Sequence, residues 1–279
     1  MPPPSPVSVT HAGRRTFLKW HRARRRAADP AFTGRRILEG MGLGASVEVD
    51  LVLHADDGFA VLHDLTLDRE TTGTGPVRAA RAADLRTLRI RSDAGAPTAD
   101  PVMLLEDLAA LLAGAGLHPD ALLQLDYKEH NPPLTPKAVA TFAGALGATA
   151  SHVILSSGDA EAVRLLAAAT PGIRVGYDPC HDGAIERLRA TRGYPAFVAD
   201  ALATLPAEMI YLDHGLVLFA ADDGFDLTAA FHAAGRRVDA YTLKRADTAG
   251  LAAARRLLAL AVDQITTDDP EGLKAALDR

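Results

Sequence analysis

The feature that most constrains this chain is an alternation kept up from one end to the other. Eight short β-type runs fall at residues 16–20, 46–53, 121–127, 152–156, 173–177, 209–212, 237–241 and 264–266. Between them Leu and Ala recur at helical spacing, over 104–112, 137–146, 160–169, 227–233, 251–260 and 270–277. Thr135-Pro136 and Asp269-Pro270 read as helix starts, because a proline in the first turn gives up an amide with no partner there, and Gly235 reads as a stop. Strands that each return through a helical crossover must run parallel. Eight of them close into a (β/α)8 TIM barrel of the α/β class rather than an open sheet. The length of 279 residues suits one such barrel. Residues 54–101 break the alternation with an extra strand at 60–62, a glycine-rich turn and a helix around 82–88, and read as a small insertion between strand 2 and helix 2. Residues 1–10 hold four prolines and are expected to form a disordered leader, with 11–279 as a single domain.

The bulk numbers exclude several classes of function. With 48% hydrophobic residues and a mean hydropathy of +0.04, the chain has ample material for a core and the composition of a soluble protein. A net charge of -5 and a pI near 6.0 argue against a nucleic-acid partner. No apolar run is long enough to span a bilayer, so stable membrane insertion is not expected. Gly13-Arg14-Arg15-Thr16-Phe17-Leu18-Lys19 resembles a twin-arginine export motif, but Trp20-His21-Arg22-Ala23-Arg24-Arg25-Arg26 follows where an apolar segment is required. The motif therefore reads as a strand that delivers His21. The single Cys180 cannot close an internal disulfide, and a cytoplasmic location is expected. Nothing in the sequence speaks to oligomeric state.

Chemistry-bearing residues gather at the C-terminal ends of the strands, where barrels of this kind carry their sites. Val47-Glu48-Val49-Asp50 puts two carboxylates on one face of a strand. Buried carboxylates are costly unless paired, so either a hard divalent cation or nearby arginines must compensate them. Leu123-Gln124-Leu125-Asp126-Tyr127-Lys128 adds a third carboxylate at the same alternation on the neighbouring strand. Three oxygen ligands from two adjacent strands suit one Mg²⁺ or Ca²⁺, whereas zinc would call for Cys or His at its usual spacings. Lys128 is either a point charge for a phosphate oxygen or a salt-bridge partner for Asp126 or Glu129. His21 and His63 each end an apolar extended run and are candidates for proton transfer, the alternative being structural histidines. Arg22 is placed to hold an anion, and Tyr177 and Tyr241 are either pocket walls or core. The basic stretch 22–26 is expected as a solvated loop that raises the local potential, with nucleic acid or anionic lipid as the alternative ligands. Gly73-Thr74-Gly75 is no phosphate loop, since no Gly-Lys-Ser/Thr follows.

In order along the chain these stations resemble the glycerophosphodiester phosphodiesterases. The residues that carry the resemblance are His21-Arg22-Ala23, Val47-Glu48-Val49-Asp50, His63-Asp64, Leu67 to Gly75, Asp126-Tyr127-Lys128, Tyr241-Thr242-Leu243-Lys244 and Thr267-Asp268-Asp269-Pro270. The chain departs from the family pattern at Ala23, where the family has glycine, and at Asp126, where it has glutamate. The family's Pro-Glu-Asn-Thr step is absent, with Asp29-Pro30-Ala31-Phe32 in that region. The resemblance implies a TIM barrel and metal-dependent cleavage of a small-molecule glycerophosphodiester to an alcohol and sn-glycerol 3-phosphate. It implies a divalent cation on Glu48, Asp50 and Asp126, with His21 and His63 as base and acid. Arg22 and Lys128 would clamp the phosphate and Tyr241 would pack against the glycerol. Two alternatives are a phospholipase D-like activity on lysophospholipid or sphingolipid, and a non-catalytic barrel that binds phosphates or an anionic membrane surface.

Overall fold

A computed structural model describes residues 6–129 and 134–279. In chain order it runs β1 (Ser8–His11), β2 (Arg14–Trp20), α1 (Gly34–Leu43) and β3 (Ser46–Leu53). An insertion follows with β4 (Phe59–Ala60), α2 (Ala82–Leu85), β5 (Arg89–Arg91) and β6 (Pro97–Pro101). Next come α3 (Leu105–Ala113), β7 (Leu122–Tyr127), α4 (Pro136–Leu146), β8 (Val153–Ser156), α5 (Ala160–Ala169) and β9 (Arg174–Tyr177). The chain ends with α6 (Ala184–Thr191), α7 (Tyr194–Thr204), β10 (Met209–Asp213), α8 (His214–Asp222), α9 (Leu227–Ala233), β11 (Arg237–Leu243), α10 (Thr248–Ala259), β12 (Gln264–Thr267) and α11 (Pro270–Leu277).

The barrel strands lie in the order β2-β12-β11-β10-β9-β8-β7-β3, all parallel, and a Trp20–Val47 pairing between β2 and β3 closes the ring. The fold is therefore the (β/α)8 barrel that the alternation demands. Burial on both faces explains why the strands read as nearly continuous apolar runs: every residue of β3 is buried. Along that strand Val47, Val49 and Leu51 join the core under the helices, while Glu48 and Asp50 take the other parity. Leu122, Ile154, Met209 and Tyr211 form a separate apolar cluster across the barrel strands. Most helices start at a side-chain cap: Thr135, Asp159, Asp213, Asp226, Asp247 and Asp269 each accept a hydrogen bond from a first-turn amide.

Two expectations need correction. The leader expected over residues 1–10 falls outside the described residues at 1–5, but 8–11 form β1, antiparallel to β2. Val7 and Val9 are buried, and the Pro6 carbonyl accepts the Trp20 indole N–H at 3.0 Å, so this segment covers the barrel beside β2. The insertion also holds more than one strand and one helix. Its β5–β6 hairpin and α2 enclose a second small core that includes Leu62, Leu67, Val77, Leu85 and Ile90. The strand expected at 60–62 is the two-residue β4, paired antiparallel with the end of β3.

Helix α1 went unread in the sequence because it carries three glycines and no side-chain cap. One of these is there for packing. A Cβ at Gly40 would lie 2.6 Å from the Val47 side chain and 3.3 Å from the Trp20 ring, so only glycine lets α1 lie this close to β2 and β3.

Candidate active site

The parallel register of β3 and β7 sets Glu48 opposite Gln124 and Asp50 opposite Asp126. One oxygen from each of Glu48, Asp50 and Asp126 falls within a 4.8 Å cluster. Both Asp50 oxygens are fully buried without a well-aligned hydrogen-bond donor. What charge compensation they have is ionic, from Lys128 Nζ at 2.9 Å and Arg22 Nε at 3.3 Å. Burial favours the neutral acid, yet Lys128 and Arg22 hold Asp50 far below the usual carboxylate range. Glu48 goes the other way: burial, then repulsion from Asp50, pushes it well up, although its Oε2 accepts the Arg22 backbone N–H at 2.7 Å. Lys128 is also ion-paired with Asp126, and the surrounding carboxylates outweigh burial to keep it charged. The arginine pairing given as the alternative reading is present, since Arg22 pairs with Asp50. The cluster nevertheless keeps one carboxylate that cannot ionise comfortably. An all-oxygen set short of positive charge fits a hard divalent cation.

Behind Asp126 runs a buried polar chain. Ser156 on β8 donates to Asp126 Oδ1 at 2.5 Å, and Gln124 Nε2 donates to Ser156 Oγ at 2.8 Å. Lys19 donates to Gln124 Oε1, lies 3.1 Å from Asp239 Oδ2, and sits 4.3 Å from the centre of the Tyr211 ring. Lys19 and Asp239 are almost wholly buried, so this pair stands beneath the carboxylates as a fixed part of the barrel interior.

The two histidines approach from other strands. β12 pairs with β2 so that Thr267 lies opposite Trp20, which brings Asp268 to His21 Nδ1 at 2.6 Å. Burial lowers the His21 pKa, with the Asp268 contact opposing it. His63 Nδ1 lies 3.0 Å from Asp64 Oδ1, and the backbone N–H groups of His63 and Asp64 both donate to Glu70 Oε2, at 2.9 and 3.0 Å. A cavity of about 280 Å³ is lined by His21, Arg22, Glu48, His63, Asp126, Lys128 and Tyr241. Of the site residues read from the sequence only Asp50 is absent from its wall, and it lies under Arg22 and Lys128. Tyr241 is half-buried there, and burial together with Asp178 keeps its hydroxyl protonated. Tyr177 does not line this cavity and packs against the core instead.

The sequence matches the family model for the glycerophosphoryl diester phosphodiesterase family over residues 39–272. The chain belongs to that family. It is thereby a phosphoric diester hydrolase. No curated protein matches the sequence. Among solved structures, a glycerophosphodiester phosphodiesterase from Agrobacterium tumefaciens shares 23% identity at TM-score 0.64, covering 95% of this chain and 100% of that one. A glycerophosphoryl diester phosphodiesterase from Parabacteroides distasonis shares 18% at TM-score 0.65, covering 96% and 88%. A phosphodiesterase from Oleispira antarctica, solved in complex with the product sn-glycerol-3-phosphate, shares 20% at TM-score 0.64, covering 94% and 96%. At these identities the likeness establishes a shared fold.

Within this glycerophosphoryl diester phosphodiesterase family member the Ala23 departure keeps its conformational signature. Ala23 has φ 58°, in the left-handed region where glycine is at ease, and it is completely buried. The basic stretch is not the solvated loop expected. Arg24 pairs with Asp93, Arg25 with Glu39 and Glu271, and Arg26, though exposed, with Glu271, so its charge is met by carboxylates of the protein itself. That leaves little for nucleic acid or a lipid surface. No helix among the described residues is long and apolar enough to cross a membrane.

Sequence reasoning assigned no role to Asp268, Asp178, Glu70 or Lys19, and set His181 aside. His181 lines the cavity with its Nε2 at 3.0 Å from Asp178, a contact that raises its pKa. Asp268 had a signal in the Thr267-Asp268-Asp269-Pro270 segment. The Asp178 to His181 loop had none, because only closure of the barrel turns it toward β7.

Proposed function

We propose that this enzyme hydrolyses a glycerophosphodiester to an alcohol and sn-glycerol 3-phosphate, with one divalent cation, Mg²⁺ or Ca²⁺, and with His21 and His63 as its acid–base pair. The observation that carries the reading is the buried Glu48, Asp50 and Asp126 cluster, short of positive charge, in one cavity with both histidines. The Oleispira relative's product complex supports a glycerol phosphate as the ligand of this fold. The cation would be held by the three carboxylates and would neutralise the phosphate and acidify a hydroxyl bound to it.

The residues of the chain do the rest. Asp268 holds Nδ1 of His21, which leaves Nε2 to accept a proton, and burial keeps the ring neutral for that task. His63, held by Asp64 through Nδ1, would protonate the departing alkoxide, and the two would exchange roles if a glycerol hydroxyl attacks phosphorus to give a cyclic phosphate that water then opens. Arg22 and Lys128 flank the cluster as cations for the non-bridging oxygens. Tyr241 offers an aromatic wall to the glycerol. Ser156 keeps Asp126 aimed despite its being one methylene shorter than the family's glutamate. The pairing of the basic stretch and the polar lining of the cavity favour this reading over a membrane-binding barrel or a phospholipase D-like groove. The single buried, unpaired Cys180 agrees with a cytoplasmic setting.

His21→Ala and His63→Ala should each lower kcat for glycerophosphocholine by about 10²–10⁴-fold at saturating metal. Turnover at the wild-type rate in either variant overturns the assigned roles.

A further inference from the structure

The cavity continues along the rim into two clefts of different character. One, of about 470 Å³, passes His63 and is bounded by Leu65, Thr66, Gly158 and His181. The other, of about 370 Å³, passes His21 and lies against the β5–β6 hairpin of the insertion, the end of β11 and the loop after β2. Five cations line this second cleft against three carboxylates, Glu70, Asp93 and Asp268. Three of the cations are committed within the protein: Arg22 to Asp50 and Glu70, Arg24 to Asp93, and Arg69 to Asp64 and Glu70. The other two, Arg91 and Lys244, form no ion pair among the described residues. Arg91 is half-buried and donates only to the carbonyls of Thr71 and Gly95, both at 2.6 Å, through Nε and Nη1. Its Nη2 makes no hydrogen bond among the described residues. Lys244 is exposed at the end of β11, across the same cleft.

Two uncompensated cations facing one cleft beside His21 make an anion site. A glycerol moiety carries no charge to meet them, and the phosphate under attack already has Arg22 and Lys128, with the cation that the three carboxylates would hold. We infer that an alcohol arm departing at His63 spans the catalytic cavity, whose wall Lys244 shares with His63, and that this cleft selects alcohols that carry an anionic substituent, a phosphate or a carboxylate. Arg91 and Lys244 are its specificity determinants. The inference rests on the hydrolase reading only for the identity of the alcohol arm. The first cleft offers no such preference: its Lys128 is paired with Asp50 and Asp126, and Asp64 lines it too. Arg91 can meet an anionic oxygen through Nη2 while its other nitrogens keep the hairpin turn in place, and a partly buried cation is screened less by salt than a free one. A cationic alcohol such as choline is disfavoured in the same cleft.

The test is calorimetric binding in the full-length His63→Ala protein with saturating Ca²⁺, which removes turnover from the readout. The probes are glycerophosphoinositol and its 4-phosphate, identical but for one anionic group, with glycerophosphoserine as the carboxylate arm. The 4-phosphate should bind about tenfold more tightly than the parent diester at low salt, the worth of one charge-assisted contact, and the gap should narrow as salt rises. Lys244→Gln, at an exposed position, should shrink the gap, and adding Arg91→Gln should bring the two diesters within about twofold. Circular dichroism checks that the hairpin survives the Arg91 change. Equal binding of the two diesters in the parent protein overturns the subsite, and a preference that both substitutions leave intact overturns the assignment to these residues. Wild-type turnover of the same diesters is measured in parallel. A binding preference without any hydrolysis would refute the hydrolase reading and leave the subsite standing.

Discussion

Ser156→Ala is the substitution that best separates metal binding from chemistry. Ser156 is fully buried, holds Asp126 Oδ1 at 2.5 Å, and links that carboxylate to Gln124 and Lys19. Lys128 stays on the other oxygen, so the carboxylate remains charged but loses the contact that fixes its plane. A hydrogen bond to an ionised group contributes about 1.5–3 kcal/mol. At about 1.4 kcal/mol per tenfold, loss of that orientation should weaken the metal by about 10–100-fold. The stranded Gln124 amide should also cost the fold about 1–3 kcal/mol. Calorimetric titration with Mg²⁺ and with Ca²⁺ reads the affinity directly, and activity against metal concentration should show most of kcat recovered at saturation. A metal Kd within about twofold of wild type, with kcat depressed at every metal concentration, would refute the reasoning and move Ser156 into the chemistry itself.

Three further outcomes follow from the loops around His21. Because burial sets its pKa below the ordinary histidine value of 6.5, kcat/KM should hold as pH falls to that value and drop only below it, as the base becomes protonated. Asp268→Asn removes the contact that opposes burial, so the acid limb should move to lower pH while kcat falls by about 10–100-fold from loss of ring orientation; an unmoved limb in a pH–rate profile would count against the Asp268 contact. Ala23→Gly relieves a left-handed alanine at φ 58° and should raise stability by about 1 kcal/mol in urea unfolding, with a decrease showing that the alanine methyl packs for more than its strain.

The barrel was legible because each of its strands is short, apolar and separated from the next by a helix or turn signal, and closure follows from having eight parallel strands. Helices α5, α9 and α11 have the very limits that their Leu and Ala spacing marks out, and all three open at an aspartate cap. Helices α1, α6, α7 and α8 were not legible. α1 is interrupted by three glycines, of which Gly40 is kept for close approach to β2 and β3, while α8 is so apolar that its sequence shows no face. The β1 segment was hidden by its prolines, since Val7 and Val9 are too few to register as a strand until β2 is there to receive them.

Strand parity located the carboxylates, because residues two apart on a strand share a face whatever the rest of the chain does. Lys128 was read as a phosphate cation or a salt-bridge partner of Asp126 or Glu129, and it pairs with Asp126 and also with Asp50; Arg22 was read as an anion holder and is engaged with Asp50. The pairing of His21 with Asp268 was not legible, because the two meet only through the pairing of the last strand with the first. The same holds for Arg91 and Lys244, which are far apart in sequence and face one cleft only once the insertion folds over the rim.

The central claim is that Glu48, Asp50 and Asp126 hold a divalent cation on which diester hydrolysis depends. The most direct measurement is release of glycerol 3-phosphate from glycerophosphocholine by protein stripped with a chelator, titrated with Mg²⁺ and Ca²⁺, beside Asp50→Asn treated identically. The account predicts no release from the stripped wild type, recovery that saturates with one ion bound per chain, and no recovery in Asp50→Asn. Undiminished release from the stripped protein, or equal metal binding by Asp50→Asn, would contradict it.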